Sequence, residues 1–154
     1  MTNNDVLRRL RYIFDFNDEK VISIFALADL EVSRKDISNW LKKDDDPDFE
    51  NLPDKKLATF LNGFISNQRG KREGEQPVPE SKLTNNIIFR KIKIALNLEA
   101  DDVLEILGLV GFSLSKHELS ALFRKQGHKH FRQCKDQILR NFLQGLQLKF
   151  HGDE

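Results

Sequence analysis

The sequence predicts an all-α protein built from two duplicated four-helix units in tandem. Three observations predict it: an internal repeat at an offset of 82 residues, apolar residues at helical spacing in each copy, and no alternating strand pattern bounded by hairpin turns. When residues 2–70 are laid on residues 84–152 without a gap, 17 of 69 positions are identical. Unrelated segments of ordinary composition would share about four or five.

The first helix of each copy is predicted from apolar residues that recur every three or four positions. These residues are Val6, Leu10, Ile13 and Phe14 in the first copy and Ile88, Ile92, Ala95 and Leu96 in the second. Each helix follows a T-N-N tripeptide, at Thr2 and again at Thr84. Capping of the helix start is the favoured interpretation of the tripeptides. The alternative is a polar contact between the two units through Asn4 and Asn86.

The second and third helices are predicted from residues that cap helix starts. Asn17 precedes two acidic residues and an apolar run, and the matching helix of the second copy has Asp101 and Asp102 in its first turn. A capping box, in which a hydroxyl and a carboxylate satisfy free backbone amides, opens the third helix of each copy. The two boxes run from Ser33 to Asp36 and from Ser115 to Glu118.

The fourth helix of the first copy is predicted to begin near Pro53, since proline suits a first helical turn. Gly63 and Gly145 repeat inside this otherwise helical pattern, which indicates close helix packing or a helix end. The segment between the copies contains glycine, two prolines and several charges, a composition typical of linkers. The predicted division is therefore a first repeat at 1–70, a linker at 71–83 and a second repeat at 84–152.

Several longer motifs carry a resemblance to a known family. They are T-N-N at Thr2, A-L-A-D-L-E-V-S at Ala26, W-L-K-K at Trp40, F-L-N-G-F at Phe60, T-N-N-I-I-F-R-K at Thr84 and H-K-H-F-R-Q-C-K-D-Q at His128. Together they resemble the YehS-like family of small bacterial proteins over nearly the whole chain. The resemblance implies a cytosolic tandem-repeat protein of unestablished function, and it brings no catalytic or binding residues with it.

The second and third helices of each copy can be placed on a helix-turn-helix template, at Ser23–Lys42 and Glu105–Arg124. Leucine stands where the template favours a small residue, and the favoured glycine is missing from the turn. These departures fall at Leu27, Leu109, Glu31 and Ser113. An ordinary corner of two packed helices is therefore the favoured interpretation. If the template holds, the candidate nucleic-acid contacts are Arg34, Lys35 and Lys116.

The two copies differ in net charge. Residues 2–70 hold 11 basic and 13 acidic side chains, a net charge of −2, whereas residues 84–152 hold 11 basic and 6 acidic, a net charge of +5. The basic excess lies beside Phe123 and Phe131 and could contact a phosphate backbone. A solvated loop with Phe131 in the core is the alternative. The candidate nucleic-acid contacts here are Arg124, Lys125, His128, Lys129, Arg132 and Lys135.

The equivalent loop of the first copy has the opposite charge and aligns with Gln126–His130. Acidic and basic loops could pair across a homodimer or with a partner protein, guiding encounter more than affinity. Two unrelated solvated loops are the alternative. The candidate partner contacts are Asp44, Asp45, Asp46 and Asp48. A calcium site is excluded, because Pro47, Phe49 and Lys55 stand where an EF-hand loop needs other residues.

Metal and catalytic chemistry find little support. His128, His130 and Cys134 are possible zinc ligands, but their spacing matches no standard site, and Cys134 aligns with the apolar Leu52, which favours a core position. Two further histidines are expected to be isolated and exposed, His117 and His151. The sequence contains no phosphate-binding glycine loop, nucleophile elbow or His-Glu-x-x-His motif. We expect no catalytic residues, no metal ligands and no cofactor.

The location and the class of function are predicted from what remains. The longest apolar stretch, Val21–Leu30, is half the roughly 20 residues that a membrane span needs, and the first residues do not read as a signal peptide. A single cysteine fits a reducing compartment, so we predict a cytoplasmic protein. The predicted function is a non-catalytic binding or regulatory module, with a protein partner or self-association favoured. The alternative is a nucleic-acid-binding protein that uses the helix-turn-helix-like segments and the basic stretch 124–135.

Overall fold

The computed structural model describes residues 1–152, and within these residues it contains eight α-helices, one π-helical turn and no strand. The helices are α1 (Asn3–Ile13), α2 (Asp18–Leu27), α3 (Arg34–Leu41), α4 (Asp54–Arg69), α5 (Asn85–Ala95), α6 (Ala100–Gly108), α7 (Lys116–Leu122) and α8 (Asp136–Leu146), and the π-helical turn is Gln147–His151.

The chain forms two compact units, one of residues Met1–Leu83 and one that begins at Thr84. Helices α1 to α4 belong to the first unit, and helices α5 to α8 belong to the second. The predicted all-α fold of two duplicated four-helix units is therefore confirmed. The finer division into 1–70, a linker at 71–83 and 84–152 stays a prediction. No helix in the described part of the chain is both long and apolar enough to cross a membrane.

The predicted helix caps are present. Asn17 caps α2 by accepting a hydrogen bond from the backbone N–H of Lys20. The Ser33 and Ser115 boxes cap α3 and α7 through reciprocal bonds with Asp36 and Glu118. Such caps stabilise a helix by about 1 kcal/mol each, because free backbone amides gain partners. The same hydrogen bonds lower the pKa of Asp36 below its ordinary value, the backbone bond from Ser33 contributing most.

Each unit has its own aromatic core. In the first unit the ring of Phe25 lies between those of Trp40 and Phe60, with ring centroids 5.7 and 5.2 Å apart. In the second unit Phe89 and Phe142 lie with centroids 4.4 Å apart. All five side chains are at most 2% exposed. Burying a side chain of this size stabilises the fold by about 1.5–3 kcal/mol, so the aromatic pairs are a large part of each core.

Helices α2 and α4 approach closely at Gly63, and α6 and α8 do so at Gly145. A Cβ atom added to Gly63 would overlap the carbonyl oxygen of Ile24, and one added to Gly145 would overlap that of Ile106. Both glycines lie inside helices, so the absence of a side chain serves packing rather than an unusual backbone conformation. Of the two interpretations of these glycines, close helix packing is confirmed.

The turn between the second and third helices departs from the helix-turn-helix template. The left-handed residue of this turn is Asp29 in the first unit, with φ of 63°, and Gly111 in the second, with φ of 72°. Both lie two positions before the residue at which the template expects glycine. The two turns nevertheless match each other, since Asp29 and Gly111 are related by the offset of 82.

Candidate functional site

The loop between α3 and α4 is held in place by a buried asparagine of α1. The Nδ2 group of Asn4 donates to the carbonyl oxygens of Trp40 and Glu50, at 2.8 and 2.9 Å, and its Oδ1 atom accepts from the backbone N–H of Leu52 at 3.0 Å. Asn4 is 2% exposed, so these bonds are made away from water. One side chain thus joins both ends of the loop to the first helix.

Asn86 of α5 repeats this arrangement in the second unit. Its Nδ2 group donates to the carbonyl oxygens of Leu122 and Arg132, at 2.9 and 2.8 Å, and its Oδ1 atom accepts from the N–H of Cys134 at 2.9 Å. An amide group has two N–H donors, and both are used within the unit. The N–H donors of Asn4 and Asn86 therefore hold the loops of their own units and are not available for the alternative, a polar contact between the units.

The other residues of the two tripeptides also act within their units. Thr2 and Thr84 cap α1 and α5, which confirms the capping interpretation for the threonines. Asn3 donates to the carboxylate of Asp54 at 2.7 Å, and its counterpart Asn85 does the same to Asp136 at 2.7 Å. The first turn of each leading helix is therefore joined to the start of the fourth helix of the same unit.

The two loops held by these asparagines have the same backbone turns. We call residues 43–50 the acidic loop and residues 125–132 the basic loop. In the acidic loop the N–H of Asp46 donates to the carbonyl of Lys43, and the N–H of Phe49 donates to the carbonyl of Asp46, at 2.9 and 3.0 Å. In the basic loop His128 makes the equivalent two bonds, at 3.0 and 2.9 Å.

A side chain at the same position completes each turn. The Oδ1 atom of Asp46 accepts from the N–H of Asp48 at 2.9 Å, and the Nδ1 atom of His128 accepts from the N–H of His130 at 3.0 Å. An imidazole in the basic loop thus takes the place of a carboxylate in the acidic loop.

The predicted nucleic-acid contacts of the basic stretch are exposed. None of them forms an ion pair in the part of the chain that the structure describes. These residues are Arg124, Lys125, His128, Lys129, Arg132 and Lys135. Because no carboxylate neutralises the lysines and arginines among them, their positive charge is available to a negatively charged partner.

Of the predicted nucleic-acid contacts in the third helices, two form ion pairs, unlike those of the basic stretch. Arg34 pairs with Glu19 at 2.8 Å, and Lys116 pairs with Asp101 at 3.0 Å, while Lys35 is exposed. The two ion pairs are equivalent under the offset of 82. Both pairs are highly exposed, so they add little stability, but each places a carboxylate beside the cation that the template assigns to nucleic acid.

The predicted acidic contacts lie together in the acidic loop. Asp44, Asp45 and Asp48 are exposed, whereas Asp46 is half-buried and uses its carboxylate to hold the turn. Three of the four carboxylates are therefore free to face a partner.

A groove of about 390 Å³ lies between α7 and the segment that leads into α8. Its polar wall contains His117, Glu118, His130, Arg132 and Lys135. The expectation that His117 is isolated is wrong, because its ring centroid lies 6.4 Å from that of His130, although His117 is exposed as predicted. Two cations, two histidines and one carboxylate thus share one groove.

A second cleft, of about 210 Å³, contains three cations. They are Arg90 of α5 and Arg124 and Lys125, which follow α7. Phe131 also lines this cleft and is half-buried, as is its counterpart Phe49, so neither ring is fully in the core. Sequence reasoning missed Arg90. The signal was available in the repeat, since the equivalent Arg8 follows an aspartate that the second copy lacks.

Cys134 is buried, which confirms its prediction as a core residue. Burial raises the pKa of the Cys134 thiol to about 12. A metal ligand or nucleophile needs the thiolate, so this cysteine is held in its unreactive form. In residues 1–152 no group of three or more histidine, cysteine or acidic side chains is arranged to hold a metal ion.

Comparisons with known proteins agree with the internal repeat. A family model described as a protein of unknown function, DUF1456, matches residues 3–70 and again residues 85–152. The uncharacterized protein YehS of Escherichia coli strain K12 is 42% identical over 152 residues, which covers 98% of this chain and 97% of that protein. No solved structure matches the chain significantly. The two family matches are themselves related by the offset of 82.

Proposed function

The chain belongs to the DUF1456 family, whose function is not established, and on that premise we propose that it is a non-catalytic binding module whose second unit binds the phosphate backbone of a nucleic acid. The observation that carries the proposal is the set of exposed side chains at residues 124–135 that have no carboxylate partner. Phosphate contacts from lysine and arginine supply most of the affinity of a non-specific nucleic-acid binder.

The charge balance supports this assignment to the second unit. Residues 84–152 have a net charge of +5, whereas residues 2–70 have a net charge of −2. A polyanion is therefore attracted to the second unit and repelled by the first. Because the backbone turns of the acidic and basic loops match, the two loops differ in charge and not in their backbone turns.

The cavities of the second unit extend the basic surface. Arg132 and Lys135 line the groove, Arg124 and Lys125 line the cleft, and the side chain of Leu122 borders both. The cations are thus distributed along adjacent depressions rather than scattered. Such an arrangement favours contact with successive phosphates, which fixes position without reading base sequence.

The third helices contribute less to the proposal. Arg34 and Lys116 already have carboxylate partners, and binding a phosphate would mean giving up Glu19 and Asp101. We therefore place the contact on the basic stretch and not on a recognition helix.

The test is fluorescence anisotropy with labelled duplex DNA and single-stranded RNA, at about 50 mM and about 200 mM salt. The variant K129A/R132A/K135A should bind more weakly and lower the salt slope of the logarithm of affinity by about three. The matched control K20A/K43A/K55A removes the same charge from exposed positions of the first unit and should bind like the parent chain. Failure of the parent chain to bind at low salt contradicts the proposal, as does equal weakening by the two variants.

A second candidate function is contact with a protein or a second copy of the chain through the acidic loop. The observation that favours it is the matched backbone turn with opposite net charge, since residues 43–50 hold five carboxylates and one lysine while residues 125–132 hold three cations and no carboxylate. The variant D44K/D45K/D48K reverses the loop charge and leaves Asp46 to hold the turn. Its molar mass by light scattering should fall relative to the parent chain if the loop mediates self-association. An unchanged mass argues against that contact.

A further inference from the structure

The cleft at the start of α5 differs from the surface around it in having cations on several sides. Arg90 reaches it from α5, and Arg124 and Lys125 reach it from the segment after α7. Among the described residues that line it, none is acidic. In the described chain no ion pair is formed by Arg90, Arg124 or Lys125. Three positive charges therefore line one small cleft without a carboxylate to neutralise them.

The first unit shows how such an arginine is neutralised. Arg8, the counterpart of Arg90, forms an ion pair with Asp5 at 3.0 Å and donates to the carbonyl oxygen of Lys42 at 3.1 Å. Asp5 also accepts from the N–H of Thr2 at 2.9 Å, which completes a capping box. Arg8 therefore has both of its partners within its own unit.

A single substitution between the copies removes the carboxylate. The residue at the position of Asp5 is Ile87 in the second unit, and α5 has no acidic residue in its first turn. Arg90 is thereby left without the partner that Arg8 has. The first turn of α5 borders the same cleft, and the positive end of a helix also favours negative charge.

From these observations we propose that Arg90, Arg124 and Lys125 form a binding site for a phosphomonoester. The cleft, at about 210 Å³, is smaller than the pockets that enclose whole small-molecule ligands, so it suits one compact group. A phosphomonoester carries about −1.5 to −2 charges at neutral pH, and an internal phosphodiester carries −1. Three cations match the more highly charged group, and arginine binds phosphate through two parallel hydrogen bonds.

This inference rests on the proposed function, because Arg124 and Lys125 belong to both binding surfaces. It narrows the expected ligand to the terminal phosphate of a nucleic acid or the phosphate of a mononucleotide. The phosphate is the same chemical group in both. A 5′-phosphorylated oligonucleotide and a nucleoside 5′-monophosphate distinguish the two sources. Inorganic phosphate alone tests the site itself.

The decisive variants change Ile87. In I87D a carboxylate returns to the position that Asp5 has in the first unit, where it can pair with Arg90 and cap α5. In I87N a side chain of nearly the same size carries no charge. Both variants lose the same apolar side chain, so a difference between them reports the charge and not the fold. Melting temperatures establish that each variant is folded.

Phosphate is titrated into the ¹⁵N-labelled chain while the amide signals of residues 84–90 and 124–126 are followed by NMR. We expect shifts in the parent chain and in I87N, and at least a tenfold weaker dissociation constant in I87D and R90A. Absence of shifts in the parent chain, or equal binding by I87D and I87N, overturns the proposal.

The source of the phosphate is then read from anisotropy. Tighter binding of a 5′-phosphorylated than of a 5′-hydroxyl oligonucleotide, lost in I87D, supports the end of a nucleic acid. No such difference, together with competition of a nucleoside 5′-monophosphate against inorganic phosphate, supports the mononucleotide. A failure of duplex binding contradicts only the proposed function, because the phosphate titration does not involve the groove residues Arg132 and Lys135.

Discussion

The acidic and basic loops share a backbone and differ in charge. Both are tied to the first helix of their unit by a buried asparagine, and both are closed by a side chain that accepts from a backbone N–H two residues later. Around these shared ties, the acidic loop has five carboxylates and one lysine, whereas the basic loop has two lysines, one arginine and no carboxylate. A few polar ties therefore define the backbone of the loop, while the net charge of the exposed positions between them differs in sign between the units.

The starts of α1 and α5 likewise share a polar cap and differ in charge at one position. The threonine cap is present in both, yet only α1 has the aspartate that completes the box and pairs with the arginine one turn later. Arg90 and Lys125 of the candidate site are identical to Arg8 and Lys43 in the first copy. What differs is the carboxylate that pairs with the arginine, which is present at Asp5 and absent at Ile87.

The largest loss of stability is expected from substitutions at the two close helix approaches. Gly63→Ala and Gly145→Ala each place a Cβ atom on a backbone carbonyl, so the helices must separate. We expect each to lower the free energy of unfolding by about 4 kcal/mol or more, measured by urea denaturation. Gly108→Ala is the control, because nothing lies near its added Cβ, and it should leave stability unchanged or raise it slightly. Tolerance of either crossing variant would contradict the packing described.

Removal of the asparagine ties should have the next largest effect. Asn4→Ala and Asn86→Ala each leave two carbonyl groups and one N–H group without their bonds, at a cost of about 3 kcal/mol in the free energy of unfolding. Equal losses in the two variants are expected, since the ties are equivalent. The exposed Asn51→Ala is the control and should cost little. A loss confined to one variant would show that the loops are not held alike.

A smaller effect is expected at the residue that completes each turn. His128→Ala removes the acceptor for the N–H of His130 and should cost about 1 kcal/mol. His128→Asp should retain the parent stability, because aspartate fills this position in the acidic loop. Thermal unfolding compares the two, with Lys129→Ala as a control without a turn contact. Equal stability of His128→Ala and the parent chain would mean that the imidazole does not hold the turn.

The smallest effect concerns the capping box of α1. Burial raises the pKa of Asp5, but the hydrogen bonds from Thr2 and the charge of Arg8 outweigh burial and bring that pKa below its ordinary value of 3.8. A lowered pKa in the folded chain means that the stabilisation is complete above pH 3.8 and is lost as pH falls through the lower value.

Asp5→Asn should therefore cost about 0.5–1 kcal/mol at neutral pH and progressively less below pH 3.8. Chemical denaturation at several pH values measures it. Ile87→Asn at the equivalent position of α5 is the control, since no carboxylate is lost there. A cost for Asp5→Asn that does not change between neutral and acidic pH would contradict the assignment.

Local signals in the sequence predicted most of the fold. Capping boxes at Ser33 and Ser115 join residues three apart, and the helical spacing of apolar residues extends over single helices, so both can be identified in one segment. The repeated glycines indicated close packing or a helix end, because they recur inside a pattern that is otherwise helical.

The candidate site was predicted less completely, because its ties are not local. Asn4 bonds to residues 36 to 48 positions away, and no pattern within α1 indicates those partners. Arg90 was missed because its neighbours in the cleft follow α7 and are distant from it in the sequence. The signal near Arg90 is the change from Asp5 to Ile87, which does not appear among the identical pairs. Pairs that differ between the copies would have pointed to it.

The asparagine ties have a consequence for how such a chain diversifies. Every bond made by Asn4 stays within the first unit, and every bond made by Asn86 stays within the second. Each copy of a duplicated segment thus contains the hydrogen bonds that hold its own loop. The exposed positions of one copy can acquire a new charge while the other copy keeps the original charge. Tandem duplication of this kind allows the surface of one unit to change toward a new ligand while the fold and surface of the other unit are retained.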